Sequence, residues 1–143
     1  MSATPAKPLP VPDERSRGYW EAAARHELAI AKCTHCGRLS MPPGIVCVGC
    51  LNPVPSFEFT PVSGKGTVRS WVIMRDTFLP GFRDDIPYLL VDIEIDEQKE
   101  LRLIGRLVDG PDANIHLGDR VSTVFDDMAP GVSVPAFKLE VTS

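Results

Sequence analysis

Cys33-Thr34-His35-Cys36 and Cys47-Val48-Gly49-Cys50 hold all four cysteines of the chain in two C-x-x-C knuckles. Each knuckle brings two sulfurs near one point, and the chain between them need fold back only once. Four thiolates can then close tetrahedrally around one metal ion. Gly37 follows the first pair, where a tight turn calls for positive φ. Zinc is the expected ion, with iron as its competitor because four-cysteine sites accept both. Two disulfides would suit a secreted chain, but no charged region followed by an apolar run opens the sequence, so no signal peptide is expected. A thioredoxin-like redox pair needs one C-x-x-C near a βαβ pattern, not two in tandem.

Little else has the makings of a reaction centre. A four-cysteine site leaves no open position for water, and a nucleophile needs a base within reach. The imidazoles are His26, His35 and His116. His35 lies between two metal ligands, where a side chain points outward. His26 is expected on a solvated helix face and His116 in a loop before Gly118. Asp92 and Glu94 form a carboxylate pair at strand spacing. Arg102 and Arg106 occupy the corresponding outer face of the next strand, where opposite charges across a hairpin contribute a few tenths of a kcal/mol. Asp84-Asp85 and Asp126-Asp127 read as solvated loop charges. No catalytic centre is expected in this chain.

With 143 residues, the chain is one domain or a small domain with a metal-stapled appendage. Its formal charge of −4 becomes about −6 once four thiolates hold a divalent ion. That balance disfavours a phosphate-backbone binder, whose footprint is a basic patch. No apolar run approaches the ~20 residues that span a bilayer. A soluble, cytoplasmic protein in a reducing compartment is expected.

The elements that must position the cysteines follow from composition and period. Residues 1–12 hold four of the fourteen prolines and read as an extended arm. Asp13 is a candidate N-cap for a helix to about Leu28, with Glu14 favouring its dipole. Trp20, Ala23, Ala24 and Leu28 fall on one face of it. Residues 29–55 form the cysteine module, turned by Pro42-Pro43-Gly44. Strands are expected over Thr67–Arg75, Tyr88–Asp96, Leu101–Val108, Arg120–Asp126 and Ser133–Val141, with a Pro/Gly-punctuated loop at Asp76–Pro87. Alternation turns Leu89, Val91, Ile93, Leu101, Leu103, Leu107, Phe137 and Leu139 inward, and a hairpin symmetric about Gln98 sets Arg102 across from Glu94. The fold class is mainly β: residues 1–28 as arm and helix, 29–55 as a rubredoxin-like zinc ribbon, and 56–143 as a five-stranded OB-fold barrel.

This order resembles the zinc-ribbon plus OB-fold family of bacteria and archaea, first catalogued as a domain of unknown function and later called acyl-CoA-associated. The likeness rests on the Tyr19-Trp20 helix, on Leu28–Lys32 leading into Cys33-x-x-Cys36-Gly37, and on Pro42-Pro43 before Cys47-x-x-Cys50. Gly64-x-Gly66, Pro87-Tyr88 and Gly118-x-x-Val121 extend it into the barrel. Gly44 stands where a basic residue often follows the prolines, and Val48 where proline often follows the cysteine, so no phosphate contact is carried over to position 44. The resemblance implies a non-catalytic partner of thiolase-fold enzymes (thiolases, ketoacyl synthases or steroid side-chain aldolases) that act on acyl-CoA. In some members the ribbon and barrel lie near the route of coenzyme A. Tyr19, Trp20, Phe78 and Phe82 are the expected partner-binding residues, because a short amphipathic helix and aromatics on a long loop gain from burial.

Two other functions compete. Arg69, Arg75, Arg83, Arg102 and Arg106 with Trp71, Phe78 and Phe82 are the parts of a single-strand nucleic-acid groove, although neighbouring acids offset their charge. An iron-loaded site would instead serve electron transfer.

Overall fold

The computed structural model describes residues 6–140; Met1–Pro5 of the expected arm and Val141 of the expected last strand lie outside them. Helix α1 covers Arg17–Ala24 rather than Asp13–Leu28. The Asp13 carboxylate accepts the N–H groups of Arg15 (3.1 Å) and Ser16 (2.8 Å) and the Ser16 hydroxyl (2.8 Å). These bonds form a turn ahead of the helix, and Ser16 takes the N-cap position. At the far end His26 adopts φ 59°. The N–H groups of His26 and Glu27 donate to the carbonyls of Ala23 and Ala22 at 2.8 and 3.0 Å, a Schellman ending. The covered face carries Ala22 and Ala23, with Tyr19 against the core. The expected Trp20–Ala23–Ala24–Leu28 stripe fails because Ala24 is exposed and Leu28 is buried outside the helix.

Leu28 leads into β1, Ala29–Cys33, the middle strand of the ribbon sheet. β2, Leu39–Ser40, and β3, Phe57–Pro61, flank it antiparallel. β3 follows residue 55, where the cysteine module was expected to end, yet pairs with β1, so the ribbon sheet runs to Pro61. Small residues let the helix and sheet approach: Ala29 and Ala31 are buried, and at Gly18 a Cβ would come within 2.3 Å of the Phe59 ring.

The remaining strands are β4 (Lys65–Met74), β5 (Tyr88–Ile95), β6 (Arg102–Arg106), β7 (Arg120–Ala129) and β8 (Val132–Leu139). They form a sheet in the order β6-β5-β4-β7-β8, and a parallel bridge between Leu107 and Phe137 joins its two ends. That closure makes the five-stranded OB barrel. Alternation along β5 is complete: Leu89, Val91, Ile93 and Ile95 are buried, and Asp92 and Glu94 face out. Leu101, Leu103, Leu107 and Phe137 are also buried as expected, while Leu139 is only half-buried at the barrel end. Gly105 is the inward position between Leu103 and Leu107. A Cβ there would meet the Phe137 ring at 2.8 Å, so the missing side chain is what admits the ring at the closure.

Glu94 does pair with Arg102 in register. The ion pair is diagonal, however: Arg102 Nη1 lies 2.6 Å from Asp92 Oδ2, and Arg106 crosses to Asp126 at 2.6 Å. Ribbon and barrel are tied at the β5–β6 turn, where Gln98 binds the backbone of Leu39 and Glu97 accepts the Ser63 N–H. α1 rests on β8 and β1. No helix among the described residues is long and apolar enough to cross a membrane.

Candidate metal centre

Each knuckle is built by backbone hydrogen bonds that aim two sulfurs at one point. In the first, Gly37 N–H donates to Cys33 O (2.8 Å) and Cys33 N–H to Arg38 O (2.9 Å). In the second, Leu51 N–H donates to Cys47 O (2.7 Å) and Cys47 N–H to Asn52 O (3.3 Å). The two turns repeat the same pattern, and the residue after each knuckle has positive φ: Gly37 at 80° and Leu51 at 61°. Only the first uses glycine, the residue for which that conformation carries no side-chain penalty.

The four Sγ atoms lie within 4.8 Å of one another, with Cys36–Cys47 at 3.5 Å and Cys33–Cys50 at 4.0 Å. Sulfurs about 2.3 Å from a tetrahedral zinc sit about 3.8 Å apart, so the set fits that ion. Cys33 and Cys47 are buried, Cys50 is half-buried and Cys36 is exposed. The N–H of Cys50, helped by that of Gly49, holds the Cys47 thiol down at about 6. The Asn52 N–H also draws on Cys50. Desolvation and the neighbouring Cys47, Cys36 and Cys33 sulfurs outweigh it there and push that thiol up to about 11. Four thiolates this close repel one another, and a divalent cation resolves the conflict.

The histidines lie elsewhere. His35 is exposed on the first knuckle and does not join the sulfur cluster. His26 is not on a helix face: Nε2 lies 2.7 Å from Asp127 Oδ1, and the ring stacks on Phe125 with centroids 5.3 Å apart. Ser133 donates to the same Asp127 oxygen at 2.6 Å. These bonds tie the end of α1 to the β7–β8 hairpin, and both hold Asp127 below the ordinary carboxylate range, the Ser133 bond more strongly. His116 faces Asp119, with Nδ1 3.6 Å from its carboxylate. The His26–Asp127 contact spans most of the chain, and nothing local in the sequence announces it.

The aromatic residues expected to bind a partner differ in their surroundings. Tyr19 meets Trp20 edge to face at 4.9 Å, and burial pushes its phenol up to about 12. Trp20 is half-buried and lines a groove of about 650 Å³ between Pro8, Pro10 and the outer side of β6 at Ile104. Phe82, also half-buried, lies beside Tyr88 and beneath Lys7 Nζ, 5.2 Å from its ring centroid. Phe78 is 95% exposed.

Comparison with known proteins agrees with this architecture. The family model described as the ChsH2 rubredoxin-like zinc ribbon domain matches residues 20–55, and the model described as the ChsH2 C-terminal OB-fold domain matches residues 59–126. A DUF35 domain-containing scaffold protein of Methanothermobacter thermautotrophicus is 30% identical over 112 residues, covering 78% of this chain and 81% of that protein. A Thermomonospora curvata protein called "Probable enoyl-CoA hydratase alpha subunit" is 28% identical over 134 residues, covering 92% of this chain and 40% of that protein. Among solved structures, a chain of an Ltp2-ChsH2(DUF35) aldolase superposes with TM-score 0.78 at 26% identity, covering 92% of this chain and 99% of that one. A DUF35-family protein from Sulfolobus solfataricus shares the fold, with TM-score 0.60 at 16% identity and coverage of 89% and 86%. With its ribbon and barrel both matched and a relative aligned over most of its length, the chain belongs to the DUF35 family of ChsH2-type zinc-ribbon and OB-fold proteins.

Proposed function

We propose that this chain is a non-catalytic accessory subunit that binds and stabilises a thiolase-fold enzyme acting on acyl-CoA, with Cys33, Cys36, Cys47 and Cys50 holding a structural zinc ion. The observation that carries the reading is the near-complete superposition on a chain of the Ltp2-ChsH2(DUF35) aldolase. A relative named as a scaffold protein points the same way. Side-chain chemistry agrees. The four thiols converge on one another, and the imidazoles of His26 and His116 face carboxylates. Among the described residues, no imidazole hydrogen-bonds a serine, threonine or cysteine side chain; Ser133 and His26 both meet Asp127 instead. The zinc supplies a cross-link between two knuckles that have little apolar interior of their own, and the reacting groups belong to the partner.

The nucleic-acid reading is weaker. Arg102 and Arg106 are paired with Asp92 and Asp126, which removes two cations from the expected groove.

Co-expression with a thiolase-fold protein from the same genome tests the proposal. The two should co-elute, and the enzyme should lose solubility or activity when expressed alone. Trp20→Ala and Phe78→Ala should weaken co-elution while leaving the isolated chain folded and metallated. An enzyme fully active and soluble alone, never co-eluting with this chain, would contradict the accessory role.

A further inference from the structure

Strand β4 is paired on both sides over only part of its length. β5 lines it from Gly66 to Met74, whereas β7 reaches only Lys65–Thr67. Val68 ends the second ladder, donating to the Asp119 carbonyl (2.8 Å) and accepting the Gly118 N–H (2.9 Å). Beyond it, alternation decides where each backbone group points. On β5, Leu89 and Ile95 bond to Leu107 and Leu101 on the β6 side, so Leu90 and Asp92 address β4. Their partners Val72 and Ser70 return those bonds. Trp71 and Ile73, at the alternate positions, turn N–H and C=O outward. Among the described residues, no strand, loop or side chain takes these four groups up. By contrast, the outer edge of β2 is filled by the Gln98 amide, and β6 and β8 are joined through Leu107 and Phe137. Side-chain packing marks the same gap. Trp71 lies across from fully buried Val91, yet it is 38% exposed, because the wall beside it stops where β7 stops.

We propose that the outer edge of β4 accepts an extended segment of another protein as an added antiparallel strand, apolar opposite Trp71 and Ile73 and acidic opposite Arg69 and Arg75. The occupant's class follows from the groups on offer: N–H and C=O at alternate positions match another extended backbone. A segment in line with β7 runs antiparallel to β4, the better-bonded arrangement, and covers the open side of Trp71. Its charge follows from the ends of the edge. Arg69 and Arg75 are both exposed there, and neither joins an ion pair among the described residues. The nearby acids are engaged: Asp76 accepts the Thr77 N–H, Asp119 the His116 N–H, and Asp92 the Ser70 hydroxyl and Arg102. The same arginines disfavour a second copy. The antiparallel register that uses Trp71 and Ile73 of both copies sets Arg69 across from Arg75 at each end, and like charges directly opposite are destabilising. Acids at those two places reverse the sign. The inference does not depend on the accessory-subunit reading.

The probe is a capped peptide, Glu-Thr-Val-Thr-Val-Thr-Glu, titrated into the zinc-loaded full chain while amide exchange is followed by NMR. In the free chain the Trp71 and Ile73 amides should exchange fast and the Val72 amide slowly; saturating peptide should slow the first two about tenfold or more. N-methylation of both valines removes the donors aimed at the Trp71 and Ile73 carbonyls and should weaken binding about tenfold or more. Lysine in place of both glutamates should also weaken it, and the double variant Arg69→Glu, Arg75→Glu should come to prefer the lysine peptide. The proposal is overturned if the glutamate peptide does not bind, or if its N-methylated form binds equally well, which would mean that side chains alone are read. Slow exchange at Trp71 and Ile73 in the free monomer would show the edge already covered. The same protection in a dimer seen by sedimentation would assign the edge to a second copy instead.

Discussion

Gln98 spends its whole amide on one residue of the other module: Oε1 accepts the Leu39 N–H at 2.9 Å, and Nε2 donates to the Leu39 carbonyl at 2.9 Å. The side chain thereby stands in for a strand neighbour on the outer edge of β2, a two-residue strand whose other side pairs with β1. Gln98→Ala leaves both Leu39 groups without these partners in a part-buried setting, at a cost of about 1–3 kcal/mol. Denaturant unfolding should show the loss while zinc stays at its wild-type stoichiometry.

Removing the metal should have a larger effect. Structural zinc contributes on the order of 10–16 kcal/mol in small fingers, far more than this short ribbon gains from its own apolar burial. Cys33→Ser and Cys50→Ser should abolish tight zinc binding and disorder residues 33–50, as read by amide exchange. Freshly purified protein should be colourless with about one zinc per chain. A red protein would mean iron.

At the barrel closure, Gly105→Ala sets a Cβ against the Phe137 ring (2.8 Å) and the Pro135 carbonyl oxygen (3.3 Å). Neither the backbone oxygen nor the fully buried ring has room to move away, so destabilisation of about 1–3 kcal/mol is expected. A paired Phe137→Leu substitution should recover part of it, and a double-mutant melt measures the coupling.

Acid should weaken the barrel through Asp96. Arg120 grips this carboxylate with both terminal nitrogens and holds it below its ordinary value of 3.8. A carboxylate lowered in the folded state stabilises fully above the unfolded value and loses that contribution as pH falls through the folded one. Asp96→Asn should therefore flatten the stability–pH curve below pH 3.8 and lower the plateau above it only slightly, since the pair is exposed.

Much of this architecture could be read from local pattern, and the failures share a cause. The alternation of Leu89, Val91, Ile93 and Ile95 leaves one possible facing, because a slip of one residue would bury Asp92 and Glu94. The cysteine spacing identified the sulfur cluster for a similar reason: two knuckles have few ways to share an ion. Helix limits were harder. Asp13 can cap a helix or close a turn before one, and His26 can continue a helix or end it in the left-handed region. Those choices depend on Ser16 and on Asp127, the latter far along the chain. Charge pairing was legible as a face but not as partners, since Arg102 reaches past Glu94 to Asp92. Tyr19 and Trp20 are adjacent and alike in type, yet Tyr19 packs against the core while Trp20 lines an open groove. Only tertiary packing separates them.

The seat of α1 on β8 has a bearing on how the chain is made. Synthesis proceeds from the N-terminus, so α1 and both knuckles emerge before any barrel strand, and β8 is the last strand to appear. The ribbon can capture its ion early, with β1 and β2 already present. α1, at 8 residues, is too short to persist by itself and, with only the ribbon sheet against it, must wait for β8 to complete its seat. Until then one side of Ala22, Ala23 and Tyr19 is uncovered. On this order of synthesis the metal-binding knuckles can form ahead of the seat of α1, and β8 completes both the barrel and that seat.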